Sequence, residues 1–335
     1  MALKVLLLHE DIRPPGQGGG AESLVRDLMS GVAQRGVEME WWTGHDKPLY
    51  KAIEDFQPDI AHVMTIHVSL DMPWIISYLH QCGIPVVWHI QDYWPTCGPR
   101  MLMIGDKSCP AVKGVCDLSC RAKPAPREWR DIVNSTFVVS GNEYTAEIYR
   151  RNGLRVDAVV ELGVPLDIFH PDHSKRTATR IMTSTAWPDA PWKGMHMILR
   201  VTRESDHAVR LVTGETREVL ADYLQQSSIY VFPSLYEETF ALSLCDAMAS
   251  GCACIAADVA GSKAQIVHGE TGLLYPRQDH LTLRKYLDLL VKDHGLRECL
   301  GNNAAEHVAQ DHSNTAMADR WIKVYNQVIK RTIKL

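Results

Sequence analysis

The sequence has no apolar run that approaches the roughly 18 residues needed to span a bilayer as a helix, so no membrane span is expected. The opening MALKVLLLHEDI breaks off at His9 and Glu10 without a small-residue cleavage site. It reads as a first buried strand rather than a signal peptide, and a cytoplasmic location is the expectation. A surplus of positive charge is also missing. The formal net charge is −5, which gives no support to a protein whose main work is gripping phosphate backbones. Solenoid-type repeats and low-complexity tracts are absent as well. The nine cysteines are an odd number in a long chain without a secretory signal, so reduced thiols are the default.

What is present is an ordinary globular make-up, 46% apolar and 22% charged, over 335 residues. That length suggests two domains of roughly 150 residues each. The first half alternates apolar runs with helical patterns. Strands are expected at Lys4–Leu8, Val37–Thr43, Ile60–Thr65, Pro85–Ile90, Thr136–Ser140 and Ala158–Glu161. Between the earlier ones fall a helix carrying Leu24, Val25, Leu28, Met29 and Val32 on one face, and helices at Leu49–Phe56 and Trp74–Cys82. Strands separated by helices imply right-handed crossovers and a parallel, doubly wound α/β sheet. The proline-bearing Gly163–Pro171 and polar His173–Thr179 mark the boundary. Beyond it, strands are expected at Arg180–Thr183, Val209–Thr213, Ile229–Phe232 and Ala253–Ala257, and helices at Leu242–Ser250 and Leu281–Lys292. The tail Thr315–Lys330 is amphipathic. The expected division is 1–165, 166–314, and a C-terminal helix 315–335 packing back on the first domain.

Two stretches carry candidate chemistry. The loop Pro14–Glu22 holds Gly16, Gly18, Gly19 and Gly20 ahead of a helix, which suits close backbone approach to a pyrophosphate. It is not GxGxxG, and no acidic residue follows at the distance a dinucleotide ribose needs. A plain surface loop is the alternative. The second stretch runs from Phe232 to Gly251. A strand ends at Pro233, a loop carries Glu237 and Glu238, and a helix begins near Phe240. The N–H groups around Phe240, Ala241 and Leu242, with Thr239 beside them, would face a diphosphate. Glu238 and Asp246, two helical turns apart, would lie on nearly the same side. Asp246 could accept hydrogen bonds from a ribose diol and Glu238 from sugar hydroxyls. Alternatively, the first acid merely favours a helix dipole and the second is a solvated Asp.

The whole string Phe232–Gly251 resembles the donor-site signature of retaining glycosyltransferases of family 4, within the glycosyl transferases group 1. The usual form is Pro-Ser, a Glu, seven residues, a second Glu, then Ala-Met-Ala and Gly; here the second acid is Asp246. Gly19-Gly20-Ala21-Glu22, Pro58-Asp59-Ile60-Ala61-His62-Val63, Ala260-Gly261, Gln265-Ile266-Val267 and Thr271-Gly272-Leu273 resemble further family motifs in order. Lys193-Gly194 matches the family's Lys-Gly, whose lysine binds donor phosphates. The resemblance implies the GT-B fold, two Rossmann-like domains facing across a cleft. It also implies a UDP- or GDP-sugar as donor, no catalytic metal, and transfer to an acceptor hydroxyl with retention of configuration. Three departures stand out. The family's Gly-Arg before Lys-Gly is replaced by Thr185-Ala186-Trp187. Gln91 stands where a donor-contacting histidine is usual, with His89 two residues earlier on the same strand face, either in that role or as a buried structural histidine. The stretch from Gly194 to Val209 lacks the family's extra strand–helix unit.

Cys97, Cys109, Cys116 and Cys120 fall within 24 residues of a Gly- and Pro-bearing loop and could bind one structural zinc through thiolates, although none forms a CxxC pair. Unliganded thiols or a disulfide are the alternatives. Trp41, Trp42, Trp74, Trp88 and Trp94 could line a groove for sugars, with core packing the usual fate of such residues. The acceptor is not readable: a glycan, a lipid-linked sugar, a small molecule or a modified nucleobase all fit. Competing readings are a sugar-nucleotide epimerase or phosphorylase on the same fold, and a nucleotide-sugar-binding subunit without catalysis.

Overall fold

The computed structural model of the protein describes residues 2–10, 20–64, 70–93, 95–97, 102–104, 107–109, 127–176 and 178–332. Its first half is built from β1 (Leu3–Leu8), α1 (Gly20–Ala33), β2 (Val37–Trp42), α2 (Leu49–Phe56), β3 (Ile60–Val63), α3 (Met72–Gln81) and β4 (Val86–Ile90). A short antiparallel pair, β5 (Met103–Ile104) and β6 (Lys107–Ser108), comes next. Then follow α4 (Arg127–Asn134), β7 (Phe137–Ser140), α5 (Glu143–Arg151) and β8 (Ala158–Val159). The main strands pair in the order β2-β1-β3-β4-β7-β8, all parallel.

The second half runs β9 (Ile181–Ser184), α6 (Met195–Arg203), β10 (Val209–Val212), α7 (Arg217–Gln225), β11 (Ile229–Phe232), α8 (Leu242–Ala249), β12 (Ala253–Ala257), α9 (Ala260–Gln265) and β13 (Leu273–Tyr275). It ends with α10 (His280–Lys292), α11 (His294–Asp311) and α12 (Asn314–Thr332). Its sheet is β10-β9-β11-β12-β13, again parallel throughout. Central strands such as Val86–Ile90 and Ala253–Ala257 are buried along their whole length. That is why they read as near-continuous apolar runs, the first interrupted only by His89, rather than alternating ones. The two parallel-sheet α/β halves are the expected GT-B architecture. Among the described residues no helix is long and apolar enough to cross a membrane.

The chain passes between the halves twice, and the two passages are bonded together. Val164 N–H donates to His312 O at 2.8 Å, and Asn314 N–H to Val164 O at 3.1 Å. A Cβ at Gly163 would stand 2.4 Å from Ser313 O, so only glycine lets the two passages touch. From this crossing α12 runs back across the first half. Trp321 is fully buried with its ring centroid 4.3 Å from that of His62 and 4.9 Å from that of His89. Tyr325 shares a 2.7 Å hydrogen bond with His62 Nδ1.

Strand and helix positions agree with the sequence reading to within a few residues. The exceptions have a visible cause. α11 is hard to see in the sequence because its buried apolar side chains, Leu300, Ala304 and Val308, form one thin stripe at four-residue spacing along eighteen residues. α4, α5, α6, α7 and α9 also go unread, being six to nine residues long, as do β5, β6 and β13 at two or three residues, too short for a periodicity to show.

Candidate functional site

A cleft of about 400 Å³ opens where the carboxyl ends of strands from both sheets converge, the place where open parallel sheets bind ligands. β4 delivers Gln91 and Asp92, β9 delivers Thr185 to Trp187, and β11 leads into Pro233, Ser234, Tyr236 and Glu238. The start of α1 adds Gly20 and Glu22, and the start of α8 adds Leu242 and Ser243.

Lys193 sits on a short 3-10 turn, Pro191–Lys193, closed by Gly194 at φ +70°. A Cβ at Gly194 would lie 2.0 Å from Pro233 O, so glycine is required both by the left-handed backbone and by the close approach. That approach docks the lysine turn onto the loop after β11, where Leu235 N–H donates to Trp192 O at 2.8 Å. The consequence is an ion pair: Lys193 Nζ is 2.6 Å from Glu238 Oε1, which also accepts from Ser234 Oγ at 2.9 Å. Glu238 is 8% exposed, so its charge depends on these partners. Behind it, a Cβ at Gly261 would meet Glu238 Cβ at 2.9 Å, so α9 packs directly against the acid.

The two halves are stitched at the same point. Thr239 Oγ1 donates to Gln91 O at 2.7 Å, and Asn142 Nδ2 donates to Thr239 O. α8 then starts after Ala241 with no side-chain cap. Its first N–H groups are therefore left for whatever enters the cleft, at the positive end of the helix.

Several of the candidate residues lie elsewhere. Asp246 does not line the cleft. Glu238 lies in a loop four residues ahead of α8, so the two acids are not separated by two helical turns as their spacing suggests. Asp246, 7% exposed, instead faces Arg217 Nη2 at 3.7 Å, and Arg217 Nη1 bonds Asp27 Oδ2 at 2.5 Å. Two carboxylates from α1 and α8 thus share one guanidinium from α7. Burial raises the Asp246 carboxyl from its ordinary 3.8 to about 7, opposed by Arg217 and assisted by Asp27. Between those two values the folded chain holds a proton that the unfolded chain releases, so stability falls as pH rises from 3.8 to about 7. Asp246→Asn should gain more stability at pH 8 than at pH 5 in denaturant titrations at both pH values. An equal change at the two would contradict this account.

His89 is buried beneath Trp321 rather than in the cleft, and burial pulls its imidazole down to about 3, so it stays neutral. β4 ends at Ile90, and Gln91 follows it directly. It does line the cleft, with Nε2 at 3.4 Å from His89 Nδ1. Gly20 lines the cleft, while Gly19 and the rest of the glycine loop lie outside the described residues. Of the four loop cysteines, Cys97 is half-buried and Cys109 buried, and Cys116 and Cys120 lie outside the described residues. Among the described residues no group of three or more His, Cys, Asp or Glu side chains could hold a metal ion. Trp42 and Trp88 are core residues, and Trp94 lies outside the described residues.

Two contributors emerge only in the folded chain. Glu237 turns away from the cleft: its carboxylate accepts from Ala260 N at 2.8 Å and pairs with Arg277, fixing the start of α9 behind Glu238. Trp187, 54% exposed, stands at the cleft rim. Its one sequence signal is its place in the loop before Lys193.

Residues 202–307 match the family described as glycosyl transferases group 1. Over 114 residues the chain is 34% identical to N,N'-diacetylbacillosaminyl-diphospho-undecaprenol alpha-1,3-N-acetylgalactosaminyltransferase of Campylobacter jejuni, covering 34% of this chain and 30% of that one. Over 107 residues it is 36% identical to D-inositol 3-phosphate glycosyltransferase of Streptomyces bingchenggensis, covering 31% and 23%. The alignments thus span under a third of these relatives' length. Among solved structures, sucrose-phosphate synthase from Thermosynechococcus elongatus superposes with a TM-score of 0.75 at 18% identity, covering 98% of this chain and all of that one. Anabaena HepE, in complex with UDP and glucose, gives 0.73 at 13% identity, covering 97% and 100%. The chain therefore has the GT-B fold, and its residues 202–307 carry the sequence of the glycosyl transferases group 1.

Proposed function

We propose that this protein is a glycosyltransferase that moves a sugar from a nucleoside-diphosphate donor, with UDP as the favoured nucleotide, to an acceptor hydroxyl with retention of configuration. The observation that carries the reading is the Lys193–Glu238 pair at 2.6 Å, set in a cleft between the carboxyl ends of two parallel sheets, beside the uncapped start of α8. When the bond from the sugar C1 to the β-phosphate oxygen breaks, negative charge collects on that phosphate. Lys193 and the first N–H groups of α8 are prepositioned for it. Glu238, held by Lys193 and Ser234, accepts from sugar hydroxyls and fixes the ring. The acceptor hydroxyl attacks from the leaving-group face and passes its proton to the departing phosphate. UDP is favoured because HepE, a close structural match, is in complex with UDP-glucose.

In this reading residues 1–165 form the acceptor side, 166–314 hold the donor, and 315–335 tie the two together. A panel of UDP- and GDP-sugars scored for thermal stabilisation tests it, since a ligand bound only by the folded state raises the melting point. The expected result is a rise of a few degrees with a UDP-sugar, followed by slow donor hydrolysis that releases UDP. A chain that no nucleotide sugar stabilises would be something else.

A further inference from the structure

The opposite edge of the second sheet carries a second pocket, of about 300 Å³. It lies at the amino ends of β9 and β11 and the start of α11, remote from the cleft at the carboxyl ends. Two guanidiniums, Arg176 and Arg297, line it, with the hydroxyls of Thr179 and Ser228, the imidazoles of His173 and His294 and the carboxylate of Glu298. Arg297 is 7% exposed. Its Nη1 donates to the carbonyls of Leu290 and Val291 at 2.5 and 3.2 Å. Arg176 donates to the carbonyls of Gln225, Ser250 and Gly251. These carbonyls satisfy N–H groups without cancelling charge. The acids near Arg297 are otherwise engaged: Asp293 caps α11 by accepting from Leu296 N at 2.9 Å, and Glu298 faces His294 at 3.5 Å. Among the described residues neither arginine forms an ion pair with a carboxylate. Burial pulls the Arg297 guanidinium below its ordinary value, and the charges of Glu298 and Asp293 oppose that only in part.

We propose that this pocket binds a small oxyanion, either inorganic phosphate or the phosphate of a monoester. Guanidinium N–H groups not committed to carbonyls present the forked geometry that matches phosphate oxygens. Two guanidiniums against the single lining carboxylate of Glu298 leave a net positive charge, which an anion offsets and a cation would add to. The volume admits a phosphate monoester but not a polymer. The site is independent of what the cleft transfers.

Thermal unfolding of the full chain in tens of millimolar phosphate, against chloride at matched ionic strength, provides the test. A rise of about 2–4 °C is expected. It should persist in Lys193→Met, which removes the phosphate-facing charge of the cleft. It should vanish in His173→Glu/His294→Glu, whose exposed positions tolerate the change. Glycerol phosphate run beside inorganic phosphate separates the sources: the larger rise at equal concentration names the ligand. An unchanged rise in the double variant, a rise lost in Lys193→Met, or no rise beyond that given by chloride would each overturn the proposal.

Discussion

Lys193→Met is expected to lower turnover of a nucleotide-sugar donor by about 10²- to 10³-fold, the usual effect of deleting one preorganised group that faces a developing oxyanion. The substitution keeps the stem of the side chain but removes the Nζ that lies over the Tyr236 ring and pairs with Glu238, so some loss of melting point should accompany it. Charge on the leaving phosphate grows only as the bond breaks, so the loss should fall on kcat more than on KM. Glu238→Gln complicates and sharpens the test. In the free protein Lys193 and Glu238 hold each other at 2.6 Å, so either single change leaves a partly buried charge without its main partner. The double variant should therefore be less impaired than the product of the two single effects. Steady-state assays with donor hydrolysis as readout would decide. A Lys193→Met protein within tenfold of the parent kcat would remove the lysine from the mechanism.

The limits of the sequence reading are local and physical. Parallel strands buried on both faces announce themselves as apolar runs, so the two sheets and their crossovers are legible. Lys193 and Glu238 are visible as residues, but their contact depends on Gly194 lying against Pro233 O, a tertiary fact. Glu237 and Glu238 are chemically equivalent neighbours. What separates them is the Ala260 N–H that captures the first, and the lysine turn that captures the second. Helical periodicity misplaces Asp246 because it does not extend back over residues 238–241, which are loop. His89 and Gln91 do stay side by side, but α12 covers the first, a tertiary fact that strand alternation does not carry. For Asp246 the error is an element boundary: a shift of a few residues at the start of a helix redirects the side chain that chemistry needs.

The second large effect concerns a residue that never meets the cleft. Trp321→Ala should cost about 3–5 kcal/mol of unfolding free energy, as large-to-small changes at fully buried aromatic positions do. Urea titration would read it. The indole packs against both His62 and His89, so its removal opens a cavity where α12 meets the first sheet. The damage should also travel. His89 Nδ1 lies 3.4 Å from the Gln91 amide, and the Gln91 carbonyl accepts the Thr239 hydroxyl at 2.7 Å just ahead of α8. Loosening His89 therefore loosens the seam that holds the uncapped end of α8 against the first half. Donor KM should rise in Trp321→Ala even under conditions where the chain remains folded. Trp321→Phe keeps a ring between the histidines and should recover most of both losses. If instead Trp321→Ala lost stability but kept the parent KM, α12 would be a brace for the first half alone, with no hold on the cleft.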